Sequence, residues 1–398
     1  MEFCKLDELD INGKKIFIRC DFNVPLDENG HITSDKRIVA ALPTINYALE
    51  NGAKQIILAS HLGKPQKEIK KGKSIEDVKK QLTLAPVCER LSELLNQEVA
   101  KSSDCIDIEI PQNKIVLLEN LRFHKEEESK DEIEREKFAE KLAGYAELYV
   151  NDAFGTCHRK HASVYDITKY LKSAAGLLVQ KEIEIMEPVR DNPEKPFALL
   201  LGGAKIEDKI KVIDSMYKKV DLMIIGGAMA NAFFKAKGYE VGKSLCEGAD
   251  IAGEVMKKYS DKIMLPVDVV LDDNLAVDAD KIPPDKNALD IGPKTVELFK
   301  EKMKNFKTVF WNGPFGYFEK KPFDKGTNQI ARYLASVSAK VIVGGGDTAT
   351  AVEVLGLEDK FTHVSTGGGA SLEFFEGEEL PAIRALKENY RKFSRISN

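Results

Sequence analysis

Two kinds of anion chemistry are segregated along this 398-residue chain. Five of its six histidines (His31, His61, His124, His158 and His161) precede residue 162, and no arginine lies between Arg190 and Arg332. Arginine and histidine suit a small, multiply charged anion gripped by side chains. The second half instead repeats an apolar run that breaks into glycines: FALLLGGAK, DLMIIGGAMAN, TVFWNGPFG, KVIVGGGDTAT and THVSTGGGAS. Glycine lets backbone approach an anion closely, and the N–H groups of a following helix can cradle phosphate. Two lobes with different ligands account for this partition.

In the first half, the chemistry-bearing residues follow apolar runs. Asp21 and Asn23 lie in RCDFNVP, His61 and Lys64 in SHLGKP, Arg122 in LENLRFH, and His158 and Arg159 in NDAFGTCHRKH, while Arg37 follows the first loop. Asp21 and Asn23 could simply make an Asx turn. They could equally aim a carboxylate and an amide at a hydroxylated substrate from the C-terminal edge of a parallel sheet, where such sheets bind ligands. Cationic candidates after three strands, with Arg37, favour the second reading. In the second half, Lys205 and Lys209 stand four apart in GGAKIEDK, a spacing that predicts one face of a helix starting at a glycine turn. Two ammonium groups there oppose the helix dipole unless an anion joins them. Asp347 in GGGDT either N-caps a helix from Thr348 or holds Mg2+ against nucleotide phosphates.

Of two familiar phosphate motifs, one is missed and one is matched once. GYEVGKS is one residue short of a Walker A loop and follows no strand. Gly344, Gly346 and Ala349 match a dinucleotide fingerprint, which keeps an NAD-dependent dehydrogenase open as an alternative. Against it, no acidic residue ends a second strand about 20 positions on. A non-catalytic phosphometabolite sensor is the other alternative; it would tolerate loss of Lys205 and Asp347.

The elements that must position these residues read as α/β. Strand candidates are KIFIRC, QIILAS, KIVLLEN and ELYVNDAF, then FALLLGG, DLMIIGG, KIMLPVDVV, TVFWNG, KVIVGGG and THVSTGG, separated by segments of helical period. Ten strands fit two doubly wound parallel-sheet domains better than one. The junction is expected within 170–195, where KYLKSAAGLLVQKEIEIMEPV reads as one long helix ended by Pro188, Pro193 and Pro196. The stretches 64–80 and 124–138 are dense in charge of both signs, which predicts solvated loops leading into surface helices.

A net charge of −5 gives no basic excess for a nucleic-acid backbone. No apolar run approaches the ~20 residues that span a bilayer. The acidic start, MEFCKLDELD, is unlike a signal peptide. A cytoplasmic protein without nucleic-acid or membrane partners is expected. The six cysteines are dispersed without metal spacing, which predicts reduced structural thiols.

With these residues assembled, the chain closely resembles the phosphoglycerate kinase family from end to end. RCDFNVP, SHLGKP, LENLRFHKEE, NDAFGTCHRKHAS, LGGAKIEDKI, IIGGAMAN, LDIGPKT, WNGPFGYFE, GGGDTAT and STGGGASLE match that family's motifs in order. The resemblance implies two Rossmann-like domains facing each other across a cleft, residues 1–172 and 173–378, joined by an interdomain helix. It also implies a tail, about 379–398, that returns to the first domain. Asp21, Asn23, Arg37, His61, Lys64, Arg122 and Arg159 would form the site for 3-phosphoglycerate or 1,3-bisphosphoglycerate. Lys205, Lys209, Glu319, Gly345, Gly346, Asp347 and Thr348 would form the ADP/ATP site, with Asp347 on Mg2+ and Glu319 on the ribose. Arg37 and Lys205 would be catalytic, hinge bending would close the site, and the protein would be a monomer. Lys64 stands where the family usually has arginine and so loses the bidentate fork. Ala288 stands where glycine is frequent in the adenine pocket.

Overall fold

In the computed structural model, which describes residues 2–396, the chain divides into two compact units, Met1–Ile183 with Glu379–Asn398 and Glu184–Glu378. Each is built on a six-stranded parallel sheet. In the first the order is Val99–Lys101, Ile115–Leu117, Gln55–Ala59, Lys15–Cys20, Leu148–Asp152, Lys172–Ala175. In the second it is His363–Val364, Lys340–Gly344, Thr308–Asn312, Phe197–Leu201, Leu222–Ile225, Ile263–Met264. The central strands are wholly buried, which is why the IIL, LYV, FALLL and VFW within them read as apolar runs instead of alternating ones. Both sheets are doubly wound. Their order reverses beside Lys15–Cys20 and Leu148–Asp152 in one unit, and beside Phe197–Leu201 and Thr308–Asn312 in the other.

Two expectations need correction. The segment 170–195 is not one helix. Lys172–Ala175 is an edge strand paired with Leu148–Asn151, and the helix is confined to Leu177–Asp191, with Pro188 inside it. Small residues (Ser173, Ala174, Ala175) carry no strong strand signal, so the sheet edge decides their conformation. KIMLPVDVV is likewise two strands. Ile263–Met264 ends the large sheet, and Asp268–Leu271 joins a small antiparallel sheet with Ala276–Asp278 and Ala288–Ile291.

The helix Leu177–Asp191 starts on polar groups of the first unit. Leu178 N–H donates to Asp152 Oδ1 at 2.9 Å and Leu177 N–H to Thr44 Oγ1 at 2.9 Å. Gly176 precedes it because a Cβ there would lie 2.2 Å from Asp152 Oδ1. The division between the units falls within this helix, after Ile183. The last helix, Pro381–Ile396, packs on the strand Lys172–Ala175 and is held by Asn389. That side chain donates to Thr168 O (2.6 Å) and Leu171 O (2.8 Å) and accepts from Ser173 N–H (2.9 Å).

Candidate functional site

The first unit gathers a cationic cluster at the C-terminal ends of its central strands. Arg37 donates to Asp21 Oδ2 at 2.8 Å, and Asp21 Oδ1 accepts from Asn23 N–H, so the acid holds the guanidinium in place. Asn23 Oδ1 accepts from Gly63 N–H at 2.7 Å, and Arg122 Nη1 donates to Gly63 O at 2.9 Å, which ties the strand-end turns together. Glu128 Oε1 lies 3.0 Å from Arg122 Nε but out of line for a hydrogen bond, leaving that N–H unsatisfied. Burial pulls the Arg122 guanidinium below its ordinary range.

Three imidazoles complete the cluster. Burial, then the charges of Arg122 and Arg19, hold His61 well below its usual pKa. His158 is lowered to about 4, by burial and then Arg159 and Arg122; His161 to about 3, by burial and then Arg122 and Arg19. All three are therefore neutral donors near pH 7. The structure thus brings Asp21, Asn23, Arg37, His61 and Arg122 together, and it leaves Arg159 exposed, where its charge acts on His158. The Lys64 side chain is exposed where it precedes the helix Pro65–Lys70, although the neighbouring Gly63 backbone is part of the cluster.

Arg19 joins this cluster without belonging to any of the candidate positions in the sequence. It is fully buried in the strand Lys15–Cys20, donating to Ser163 Oγ at 2.9 Å and to Cys20 O, with Nη2 3.1 Å from His61 Nδ1. A guanidinium can only donate, so Nδ1 accepts and the proton of His61 sits on Nε2. The available signal was a lone charge inside an apolar strand, since arginine is seldom fully buried without a partner.

In the second unit a cavity of about 390 Å³ opens at the ends of its central strands. Ala204, Phe234, Leu245, Val269, Ala288 and Leu289 give it apolar walls, and Glu319, Asp347 and Asp290 bring carboxyl groups to it. The size and lining suit a planar apolar group with a polar extension. Ala288 is one of its walls, and its N–H is used by Ser244 Oγ at 2.8 Å. Burial raises Asp290 to about 8.

The glycines divide by use. A Cβ on Gly202 would lie 2.2 Å from Pro314 O, and one on Gly227 2.7 Å from Gly203 N, so these let two loops pack backbone to backbone. Gly345, at φ +90°, precedes the helix Gly346–Val354 with Asn312 Nδ2 2.9 Å from its would-be Cβ, whereas Gly346 faces open space. Asp347 does not cap this helix; it sits exposed in the first turn and lines the cavity. The Thr348 hydroxyl is occupied, accepting from Gly313 N–H at 2.6 Å.

Lys205 and Lys209 do not share a helical face. Lys205 is in the loop and a single 3-10 turn, Glu207–Lys209, precedes the helix Ile210–Met216, so the four-residue spacing spans no α-helical turn. Lys205 is exposed and pairs with Glu247 at 3.0 Å; Lys209 is half-buried and donates to Asn312 Oδ1, another partner not anticipated from sequence. Burial lowers Lys209 to about 8, opposed by Asp208, Asp347 and Glu376. All six cysteines are free, five of them buried.

Comparison with known proteins gives one answer. The family model described as phosphoglycerate kinase matches residues 6–378. The chain is 49% identical to phosphoglycerate kinase of Dictyoglomus turgidum, covering 96% of this chain and 98% of the relative. It is 48% identical to that of Solibacter usitatus, over 97% and 100%. Among solved structures, phosphoglycerate kinase from Coxiella burnetii superposes with a TM-score of 0.82 at 38% identity, covering 98% of this chain and all of the other. That from Pyrococcus horikoshii gives 0.85 at 33% identity, with the same coverage.

Proposed function

The chain belongs to the phosphoglycerate kinase family, and we propose that its two units divide the family's glycolytic reaction between them. That reaction is reversible transfer of the acyl phosphate of 1,3-bisphosphoglycerate to MgADP, giving 3-phosphoglycerate and MgATP. The carrying observation is the separation of chemistries: a guanidinium cluster at one sheet's strand ends and an apolar cavity edged by carboxylates at the other's. The dehydrogenase and sensor alternatives have no support from the family or from the relatives.

Arg122, Arg159 and neutral His61 anchor the distal phosphate of the substrate, and Asp21 and Asn23 orient its hydroxyl and carboxyl end. The cavity takes the adenosine, with Glu319 on the ribose. Gly345, Gly346 and Thr348 present the first-turn backbone to the phosphates, with Lys209 beside them. Lys64 adds a mobile charge at the edge of the substrate site, a looser contact than a guanidinium fork makes.

Mg2+ binds nucleotide sites through one or two carboxylates plus phosphate oxygens. Asp347, a hard oxygen donor in the first helical turn on the cavity wall, fits that requirement. There Mg2+ would neutralise phosphate oxygens. The attacking ADP oxygen is already anionic, so the protein need supply no base and no covalent intermediate. Positioning and charge neutralisation carry the rate. Arg37 and Lys205 share the charge of the transferring group, and Lys205 must exchange Glu247 for it. Because these residues belong to different units, turnover needs a hinge motion that also excludes water. On this proposal the protein is a monomer working in the cytoplasm. Among the described residues no helix is long and apolar enough to cross a membrane.

The test is ATP formation from 1,3-bisphosphoglycerate and ADP with and without Mg2+. Wild type should turn over only with Mg2+. Lys205→Ala and Arg37→Ala should each lose kcat by at least about a hundredfold, the order seen when a transition-state charge contact is removed. Arg159→Ala should mainly raise the substrate KM. Absence of turnover by folded wild type would overturn the assignment, and an unchanged kcat in Arg37→Ala would remove that residue from the catalytic role.

A further inference from the structure

Asp104, Cys105 and His124 converge on one another, and none of the three has a role in the reaction assigned above. One ligand atom from each lies within 4.8 Å of the others. Asp104 and Cys105 belong to the segment that follows the strand Val99–Lys101, and His124 follows the short turn Leu121–Phe123. The cysteine is fully buried, whereas the Asp104 and His124 side chains are 33% and 25% exposed. The trio therefore has a closed sulfur side and an oxygen and nitrogen side open to water.

We propose that Asp104, Cys105 and His124 form a binding site for a borderline-soft divalent d-block cation such as Zn2+. Carboxylate, thiolate and imidazole are the ligand types that such ions select, and Mg2+ does not. In a tetrahedral site with bonds of about 2.0 Å to nitrogen and oxygen and about 2.3 Å to sulfur, ligand atoms stand roughly 3.3–3.6 Å apart. The trio is already within a fraction of an ångström to about 1.5 Å of that spacing. His124 Nε2 and Asp104 Oδ1, now 2.6 Å apart, need only part slightly to admit an ion. The fourth position falls on the open side, for water.

The charge balances: one thiolate and one carboxylate neutralise a dication. On binding, the Cys105 S–H bond breaks, a metal–sulfur bond forms and the proton leaves to solvent. His124 moves its proton from Nε2 to Nδ1 and gives the ion its Nε2 lone pair. Burial favours the neutral thiol, so the ion must compete with that proton and affinity should rise with pH. Supporting groups are in place. Cys105 N–H donates to Asp104 Oδ1 at 2.7 Å, Ser102 Oγ donates to Asp104 O at 2.6 Å, and the Phe138 ring packs 5.6 Å from that of His124. Such contacts orient ligands before the ion arrives.

The probe is Co2+, titrated into the full-length chain. One equivalent should produce a near-ultraviolet thiolate-to-cobalt band with visible bands of a four-coordinate ion, persisting in a large excess of Mg2+ and displaced by Zn2+. His124→Gln and Cys105→Ala, with circular dichroism like wild type, should weaken binding by at least about tenfold. Cys246→Ala should leave it unchanged. No thiolate band, a band that survives both ligand variants, or one lost with Cys246 would overturn the site. Should Cys105→Ala fail to fold, the half-exposed His124→Gln still decides the question.

Discussion

Lys209 shows how burial converts an ordinary cation into a titrating one. Held half-buried against Asn312, its ammonium is lowered to about 8, so it is charged at pH 7 and loses its charge as pH rises. If it grips nucleotide phosphate, ADP affinity should be flat between pH 7 and 7.5 and then weaken, approaching about tenfold by pH 9. Lys209→Arg, which stays charged, should keep the profile flat to pH 9. Calorimetric titration of ADP at several pH values measures both, and a flat wild-type profile would detach Lys209 from the phosphates. At this scale the sequence was informative where charge interrupts an apolar run, as at Asp21, His61 and Arg122. It was silent where partners meet only in space. Arg19 fixing the His61 tautomer, Asn312 receiving Lys209, and Asp104 with Cys105 meeting His124 nineteen residues on all depend on the sheet that positions them. Spacing also misled once, because a 3-10 turn that ends at Lys209 separates Lys205 from the helix Ile210–Met216.

The helix Leu177–Asp191 depends on Asp152 at its start. That carboxyl is completely buried, and one oxygen, Oδ2, has no partner. Burial raises its pKa to about 7 against the hydrogen bonds from Thr44, Leu178 and Val179. In the unfolded chain the same group titrates near 4, so between about pH 4 and 7 the folded state holds a proton that the unfolded state has lost. Stability from this group is therefore present below pH 4 and declines as pH rises through 7, by a few kcal/mol on an order-of-magnitude scale. Asp152→Asn has no proton to lose and keeps an acceptor for Leu178. Chemical denaturation at pH 5 and pH 8 should show the variant gaining relative to wild type at the higher pH; an equal difference at both would refute a titrating Asp152. Long apolar strands and helices of clear period were legible here, because burial on both faces writes itself into composition. The edge strand Lys172–Ala175 and the small antiparallel sheet were not. Their residues are small, short in run or polar, and pairing with neighbours decides their conformation.

Across the whole molecule, the chain leaves its first unit, builds the second, and returns to the first with the helix Pro381–Ile396. Nothing in ELPAIRALKENYRKF says where that helix lands, since an amphipathic face fits any apolar surface of the right shape. A buried polar side chain helps to fix the landing, alongside the outer contacts of Lys387 and Arg391 with Glu2 and of Lys392 with Lys169 O. Asn389 is 4% exposed and satisfies Thr168 O, Leu171 O and Ser173 N–H at the sheet edge. Asn389→Ala would leave all three buried backbone groups without that partner, at roughly 1–3 kcal/mol for each one that water cannot reach. The loss should fall on the first unit alone. The single tryptophan allows the units to be told apart: Trp311 is fully buried in the second unit's central strand, so its fluorescence follows that unit, while far-ultraviolet circular dichroism follows both. In urea, Asn389→Ala should shift part of the dichroism transition to lower denaturant while the Trp311 transition stays at its wild-type midpoint. If the two probes shift together, the units unfold as one cooperative body, and the returning helix stabilises the whole molecule instead of the unit it packs on.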